Sequence, residues 1–288
     1  MSYLTVNGVR LYVEVEGSGP ALLLLHGFTG SAETWRPHRA AWEGFTAVAV
    51  DLLGHGRSDC PADPARYAVE RCVEDLLAVL DRLGFPRAAV LGYSMGGRVA
   101  LRLALRAPER VPALVLESAS PGIPDPTERA ERARSDDALA DGIERDGVEA
   151  FVDRWEALPL WASQARLPEE VRARLRAQRL RNSAAGLAGS LRGMGAGREE
   201  PVLDRLGALP MPVLLLAGEL DEKYCRLARE MAGRLPRPQV VTVPEAGHAV
   251  HLEQPARFQA AVRAFLLDTL RPAGRPGAEE TLRHSSER

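Results

Sequence analysis

Val90-Leu-Gly-Tyr-Ser-Met-Gly-Gly-Arg-Val-Ala100 decides the fold. Within it Gly92-Tyr93-Ser94-Met95-Gly96 spells G-x-S-x-G. The apolar run from Arg87 to Gly92 predicts a short buried strand, and Met95 to Arg106, with Val99, Leu101, Leu103 and Leu105, predicts a helix. A serine caught between the two must turn sharply, which puts it at strained φ/ψ and lifts its hydroxyl clear of the sheet. The flanking glycines let helix and strand approach closely enough for that turn. A glycine-rich turn carrying a solvated serine is the bland alternative, and the strand–turn–helix setting argues against it.

The chain on either side alternates strands and helices. Tyr3 to Asn7 and Arg10 to Glu16 alternate apolar and polar residues around Asn7-Gly8, a hairpin signal. Ala21–Leu25, Thr46–Val50, Val111–Glu117, Pro212–Leu216 and Gln239–Val243 read as further strands, Val69–Leu83 and Gln254–Leu270 as helices. This order predicts an α/β protein with a mainly parallel sheet covered on both faces, its active site at the carboxyl ends of the strands. From Ser118 to about Leu206 the strand pattern stops. Asp125-Pro-Thr-Glu128 offers a capping box for a helix through Arg132 and Asp136, with more helices near Val148–Glu156 and Glu169–Arg181. The expected organisation is a core from residues 1–119 and 206–270, a helical cap from 120–205, and a disordered tail over 271–288.

Composition narrows the function classes. A formal charge of −2 leaves no basic excess to neutralise phosphates, so nucleic acid is not an expected partner. Basic residues are arginine throughout except Lys223. Cys60, Cys72 and Cys225 are few and far apart, which points to free thiols in a reducing compartment. Apolar runs are strand-length, and no charged leader precedes one, so a cytoplasmic protein without a membrane partner is expected. The sequence is compatible with a monomer.

A serine hydroxyl needs a base, and the base an orienting acid. The elbow resembles that of α/β-hydrolases, whose partners follow in the order Ser, Asp or Glu, His. Asp51 to Asp59 resembles the D-x-P-G-x-G-x-S loop of that superfamily, with Leu53 where proline is usual. Asp221 follows one predicted strand and His248 the last, so the resemblance implies Ser94, Asp221 and His248 as a catalytic triad. Glu117 is the competing acid and His251 the competing base. The backbone N–H groups of Phe28, in His26-Gly-Phe-Thr-Gly30, and of Met95 would form the oxyanion hole.

Arginine placement sharpens the resemblance. Arg98 lies about one helical turn past Ser94. Arg98, Arg102 and Arg106 could form a solvated stripe, and Arg132 could pair with Glu128. Yet Leu25-His-Gly-Phe-Thr-Gly30, Gly92 to Arg98, Pro121-Gly122 with Glu128 to Asp136, and Gly218-Glu-Leu-Asp-Glu-Lys223 together resemble the 2-succinyl-6-hydroxy-2,4-cyclohexadiene-1-carboxylate synthases of menaquinone biosynthesis. The cap stretch is the specific part. The resemblance implies a lyase, substrate contacts at Tyr93, Arg98, Arg132, Trp155 (with Trp161 as its rival) and Arg179, and no metal or organic cofactor. The substrate it implies is a small tricarboxylate, for which planar bidentate guanidinium groups are suited. Arg102, a turn further from Ser94, is expected to be silent. A carboxylesterase or C–C hydrolase with the same triad, and a small-anion receptor on the same fold, are the alternatives.

Overall fold

The computed structural model describes residues 1–270; the tail expected over 271–288 lies outside the described residues. Eight strands run in chain order: β1 Ser2–Val6, β2 Val9–Gly17, β3 Ala21–Leu25, β4 Thr46–Val50, β5 Ala89–Tyr93, β6 Leu114–Glu117, β7 Val213–Gly218 and β8 Pro238–Val243. The α-helices are α1 Val69–Arg82, α2 Met95–Arg106, α3 Pro126–Glu156, α4 Glu169–Leu180, α5 Ala184–Met194, α6 Glu222–Ala232, α7 Val250–Glu253 and α8 Pro255–Thr269. The strands form one sheet in the order β1-β2-β4-β3-β5-β6-β7-β8. The β1–β2 and β2–β4 pairs are antiparallel and every later pair is parallel. This is the α/β-hydrolase architecture the elbow predicts.

Side-chain alternation on the strands builds two cores. On β3, Leu23 and Leu25 join the cluster under α1 and α2, while Leu22 and Leu24 join the one under α8. Central strands buried on both faces read as continuous apolar runs, which is why β3 and β4 are legible to the residue. Asn7 and Gly8 both take positive φ, 45° and 82°, as a tight two-residue hairpin turn requires.

Parallel register brings the functional turns to one edge. Leu25 pairs with Gly92, Gly92 with Leu116 and Leu116 with Leu215, so the residues that follow these strands emerge side by side. Between β6 and β7 the chain forms α3, α4 and α5. Asp125 caps α3 by accepting from the Glu128 N–H at 2.8 Å. Gly147, at φ 84° and ψ 169°, breaks α3 in the middle, which is why its sequence reads as two helices. Phe151, Val152, Leu187 and Leu191 pack α3 on α5, and Phe28 closes that small core from the side of the sheet.

Candidate active site

Ser94 stands between β5 and α2 at φ 51° and ψ −108°, a conformation that holds strain in a non-glycine residue. The surroundings enforce it. A Cβ on Gly92 would strike the Gly96 carbonyl, one on Gly96 the Leu25 and His26 carbonyls, and one on Gly97 would come within 2.6 Å of the Ala119 methyl. The Ser94 N–H donates to the Glu117 carbonyl at 2.9 Å, fixing the turn to the neighbouring strand end.

His248 Nε2 lies 3.0 Å from Ser94 Oγ, and its Nδ1 lies 2.7 Å from Asp221 Oδ2. A carboxylate only accepts, so Nδ1 carries the proton in the neutral ring and Nε2 is free to accept from the serine hydroxyl. Asp221 is held in turn at the start of α6, where its Oδ1 accepts from the Tyr224 N–H at 3.3 Å. The imidazole is walled by Tyr224, Tyr93 and Trp161, with ring centroids 4.6, 5.5 and 5.5 Å away. Burial raises the phenols of Tyr93 and Tyr224, with Glu117 adding to the rise at Tyr93, so both rings stay neutral around the histidine.

Phe28 lies in a turn closed by the Gly30 N–H donating to the Gly27 carbonyl at 2.9 Å. The N–H groups of Phe28 and Met95 enter no backbone hydrogen bond in the turns that hold them, and both residues border the cavity over Ser94. His26 anchors this turn: its Nδ1 lies 2.8 Å from the Gly27 carbonyl, and its Nε2 accepts from the Leu52 N–H at 3.0 Å.

The side chains of Glu117 and His251, the competing acid and base, pair with each other rather than with those of His248 or Ser94. Both are buried beneath the Tyr93 ring, whose centroid lies 4.6 Å from that of His251.

The cavity over Ser94 measures about 230 Å³ and takes walls from both the sheet edge and the inserted helices. Tyr93, Arg98, Arg132 and Trp155 border it, and so does Trp161. Arg132 Nε donates to Asp136 Oδ1 at 2.8 Å, in place of the Glu128 pairing its sequence spacing also allows. Arg179 does not border this cavity. It lies beyond Trp161, 5.4 Å from that ring's centroid, and Nη1 donates to Glu156 at 2.9 Å. A larger space of about 500 Å³ on that side touches Arg179 and Trp161, and a small one of about 40 Å³ is lined by Arg179 together with Phe28 and Tyr93.

Two findings add to the arginine pattern. Arg102 is not solvated: it is 9% exposed, as is Arg98, and both reach Glu199. The apolar side of α2 is wider than the leucine pattern implies, because the strap after α5 covers it. Lys223 also borders the cavity, and among the described residues it has no carboxylate partner within 4.0 Å. Its signal in the sequence was its singularity in a chain otherwise basic through arginine. Three cations, Arg98, Arg132 and Lys223, thus face the cavity against one bordering carboxylate, Asp136.

A family model described as the alpha/beta hydrolase fold matches residues 20–255. The chain is 46% identical over 262 residues to a Bacillus subtilis (strain 168) protein provisionally named a 2-succinyl-6-hydroxy-2,4-cyclohexadiene-1-carboxylate synthase, covering 90% of this chain and 96% of that one. A Salmonella paratyphi C (strain RKS4594) protein with that synthase name is 32% identical, over 82% of this chain and 90% of its own. Among solved structures, MenH from S. aureus superposes with a TM-score of 0.85 at 33% identity, covering 92% and 99% of the two chains. A thermophilic esterase from Thermogutta terrifontis, solved with malate bound, gives 0.81 at 28% identity, covering 93% and 99%.

Proposed function

The chain belongs to the α/β-hydrolase fold family and, within it, to the 2-succinyl-6-hydroxy-2,4-cyclohexadiene-1-carboxylate synthases, and on that footing we propose that it eliminates pyruvate from 2-succinyl-5-enolpyruvyl-6-hydroxy-3-cyclohexene-1-carboxylate. The observation that carries this reading is the pairing of a Ser94–His248–Asp221 hydrogen-bonded chain with a small cavity in which cations outnumber carboxylates. A neutral ester has no use for three such cations; a tricarboxylate does.

In the proposed reaction Ser94 is a base rather than a nucleophile. His248 accepts the serine proton, and Ser94 Oγ takes a proton from the ring carbon beside the succinyl ketone. The electron pair moves onto the ketone oxygen, where the N–H groups of Phe28 and Met95 would stabilise the enolate. Its return through the ring double bond forms the diene and breaks the bond to the enolpyruvyl oxygen. The departing enolpyruvate takes up a proton and becomes pyruvate. Asp221 stabilises the imidazolium while it exists. The inserted helices, residues 120–205 in our reading, act as a cap that excludes water and brings Arg132 and Trp155 to the substrate. Arg98, Arg132 and Lys223 are proposed as the carboxylate partners, with Lys223 taking the place the sequence assigned to Arg179.

The test is pyruvate release from that cyclohexene by the purified chain, measured beside aryl acetate hydrolysis. Turnover of the ester with no pyruvate from the cyclohexene would move the protein to the esterases.

A further inference from the structure

Arg98 and Arg102 stand one turn apart on α2 with their side chains buried together, 11% and 9% exposed. Two neighbouring guanidinium groups out of water repel each other unless a carboxylate is shared between them. Glu199 is that carboxylate. It comes from the strap that returns the chain from α5 to β7, and its side chain is 2% exposed. One oxygen accepts from Arg98 Nη1. The other lies 2.7 Å from Arg102 Nη2 without the alignment of a hydrogen bond, so that contact is Coulombic.

The strap is fixed independently of this cluster. The Val202 N–H donates to the Pro121 carbonyl at 2.7 Å, and a Cβ on Gly122 would lie 2.7 Å from Pro201 Cα, so outgoing and returning connections are in contact. Arg98 Nη2 donates to the Met194 carbonyl at 3.0 Å, and Arg102 Nη2 to the Glu200 carbonyl at 2.9 Å. Both terminal nitrogens of Arg98 therefore have a protein partner. A guanidinium has five N–H groups, so three remain for a ligand in the cavity that Arg98 borders.

We infer that Glu199 and Arg102 are positioning residues for Arg98, orienting its guanidinium toward a substrate carboxylate before the substrate arrives. This rests on the reading of Arg98 as a carboxylate partner. Glu199 removes the rotamer freedom that Arg98 would otherwise lose on binding. Arg102 keeps Glu199 divided between two cations. Without Arg102, both oxygens of Glu199 turn to Arg98 and compete with the substrate for it.

The experiment compares Glu199→Gln, Arg102→Met and Arg98→Ala with the parent chain. The measurements are kcat and KM for pyruvate release from the cyclohexene substrate, melting temperature, and the rate at which phenylmethylsulfonyl fluoride modifies Ser94. Glu199→Gln and Arg102→Met are expected to raise KM by about tenfold or more, because the guanidinium must then be ordered when the substrate binds. Their kcat and Ser94 modification rates should stay within about threefold of the parent, the mark of lost uniform binding. Glu199→Asp and Arg102→Lys keep the charges and serve where the first variants do not fold; a KM between parent and Arg98→Ala is expected for each. A tenfold effect of Arg98→Ala with parent KM in all the Glu199 and Arg102 variants overturns the inference. So does a parallel fall in kcat, Ser94 modification and melting temperature, which is the pattern of a purely structural cluster. No effect of Arg98→Ala itself refutes the reading beneath it instead.

Discussion

Glu117 holds His251 by its ring and its backbone at once: Nδ1 lies 2.8 and 3.0 Å from the two carboxylate oxygens, and the His251 N–H donates to one of them at 2.9 Å. The carboxylate is thereby used up in support of the Tyr93 ring, and Asp221 alone reaches His248.

The two acids should separate in mutants. Asp221→Asn is expected to lower kcat roughly 10⁴-fold, because an amide cannot hold the imidazole in the tautomer whose Nε2 accepts. Glu117→Gln is expected to cost stability instead, about 1–3 kcal/mol for a buried group whose hydrogen bonds are disturbed, with turnover of the folded protein retained. Urea unfolding and pyruvate release on the same preparations check both. Loss of turnover in Glu117→Gln with little effect of Asp221→Asn would reverse the assignment.

The elimination chemistry predicts no acyl-enzyme. Intact-mass spectra taken during steady turnover of the cyclohexene substrate should show Ser94 unmodified while pyruvate accumulates. A substrate-derived mass on Ser94 would make the serine a nucleophile and shift the proposal toward hydrolysis.

Three buried histidines set the acid limit of the fold. Burial pulls His26 and His38 down to about 3 and His55 to about 4, with His55 adding to the shift at His26 and His251 to that at His38. In the unfolded chain each titrates near about 6.5. Above that pH both states are neutral and the histidines contribute fully. As the pH falls below it, only the unfolded chain binds these protons, so stability drops by up to about 1.4 kcal/mol per pH unit for each histidine. The loss continues until the folded values near 3 to 4 are reached. Urea midpoints should therefore decline steeply from pH 7 to pH 5, and His38→Asn should flatten the decline by about one proton. A midpoint independent of pH over that window would contradict this account.

Legibility followed the physics of each element. Strands buried on both faces, such as β3, and the elbow with its helix could be read to the residue, because few side chains satisfy such constraints. α5 escaped the reading: Ala184-Ala-Gly-Leu-Ala-Gly-Ser carries almost no charge and little periodicity, and its small residues serve close packing against Gly54 and Tyr67. The places of Ser94, Asp221 and His248 were legible because each follows a strand end. The arginines were harder, since a charge on a helix shows its partner only in space. Glu199 lies 101 residues from Arg98, and no local spacing connects them.

The substrate assignment depends on the cations of the cavity. Removing one partner from a buried, hydrogen-bonded charge pair costs roughly 2–5 kcal/mol, about 30- to several-thousand-fold in affinity. Arg98→Ala and Arg132→Ala should each lower kcat/KM for the tricarboxylate by at least about tenfold, since Arg132 stays partly solvated beside Asp136. Lys223→Met should do the same by a different route, because Lys223 has no carboxylate partner among the described residues and leaves none uncompensated. Arg179→Ala should cost less than any of them: it is held on Glu156 beside Trp161 and does not border the Ser94 cavity. Phenylmethylsulfonyl fluoride, which carries no carboxylate, should modify Ser94 at similar rates in all four variants. Steady-state kinetics of pyruvate release beside that labelling rate decides the matter. Equal and small effects at Arg98, Arg132 and Lys223 would leave the triad in place and remove the tricarboxylate from its cavity.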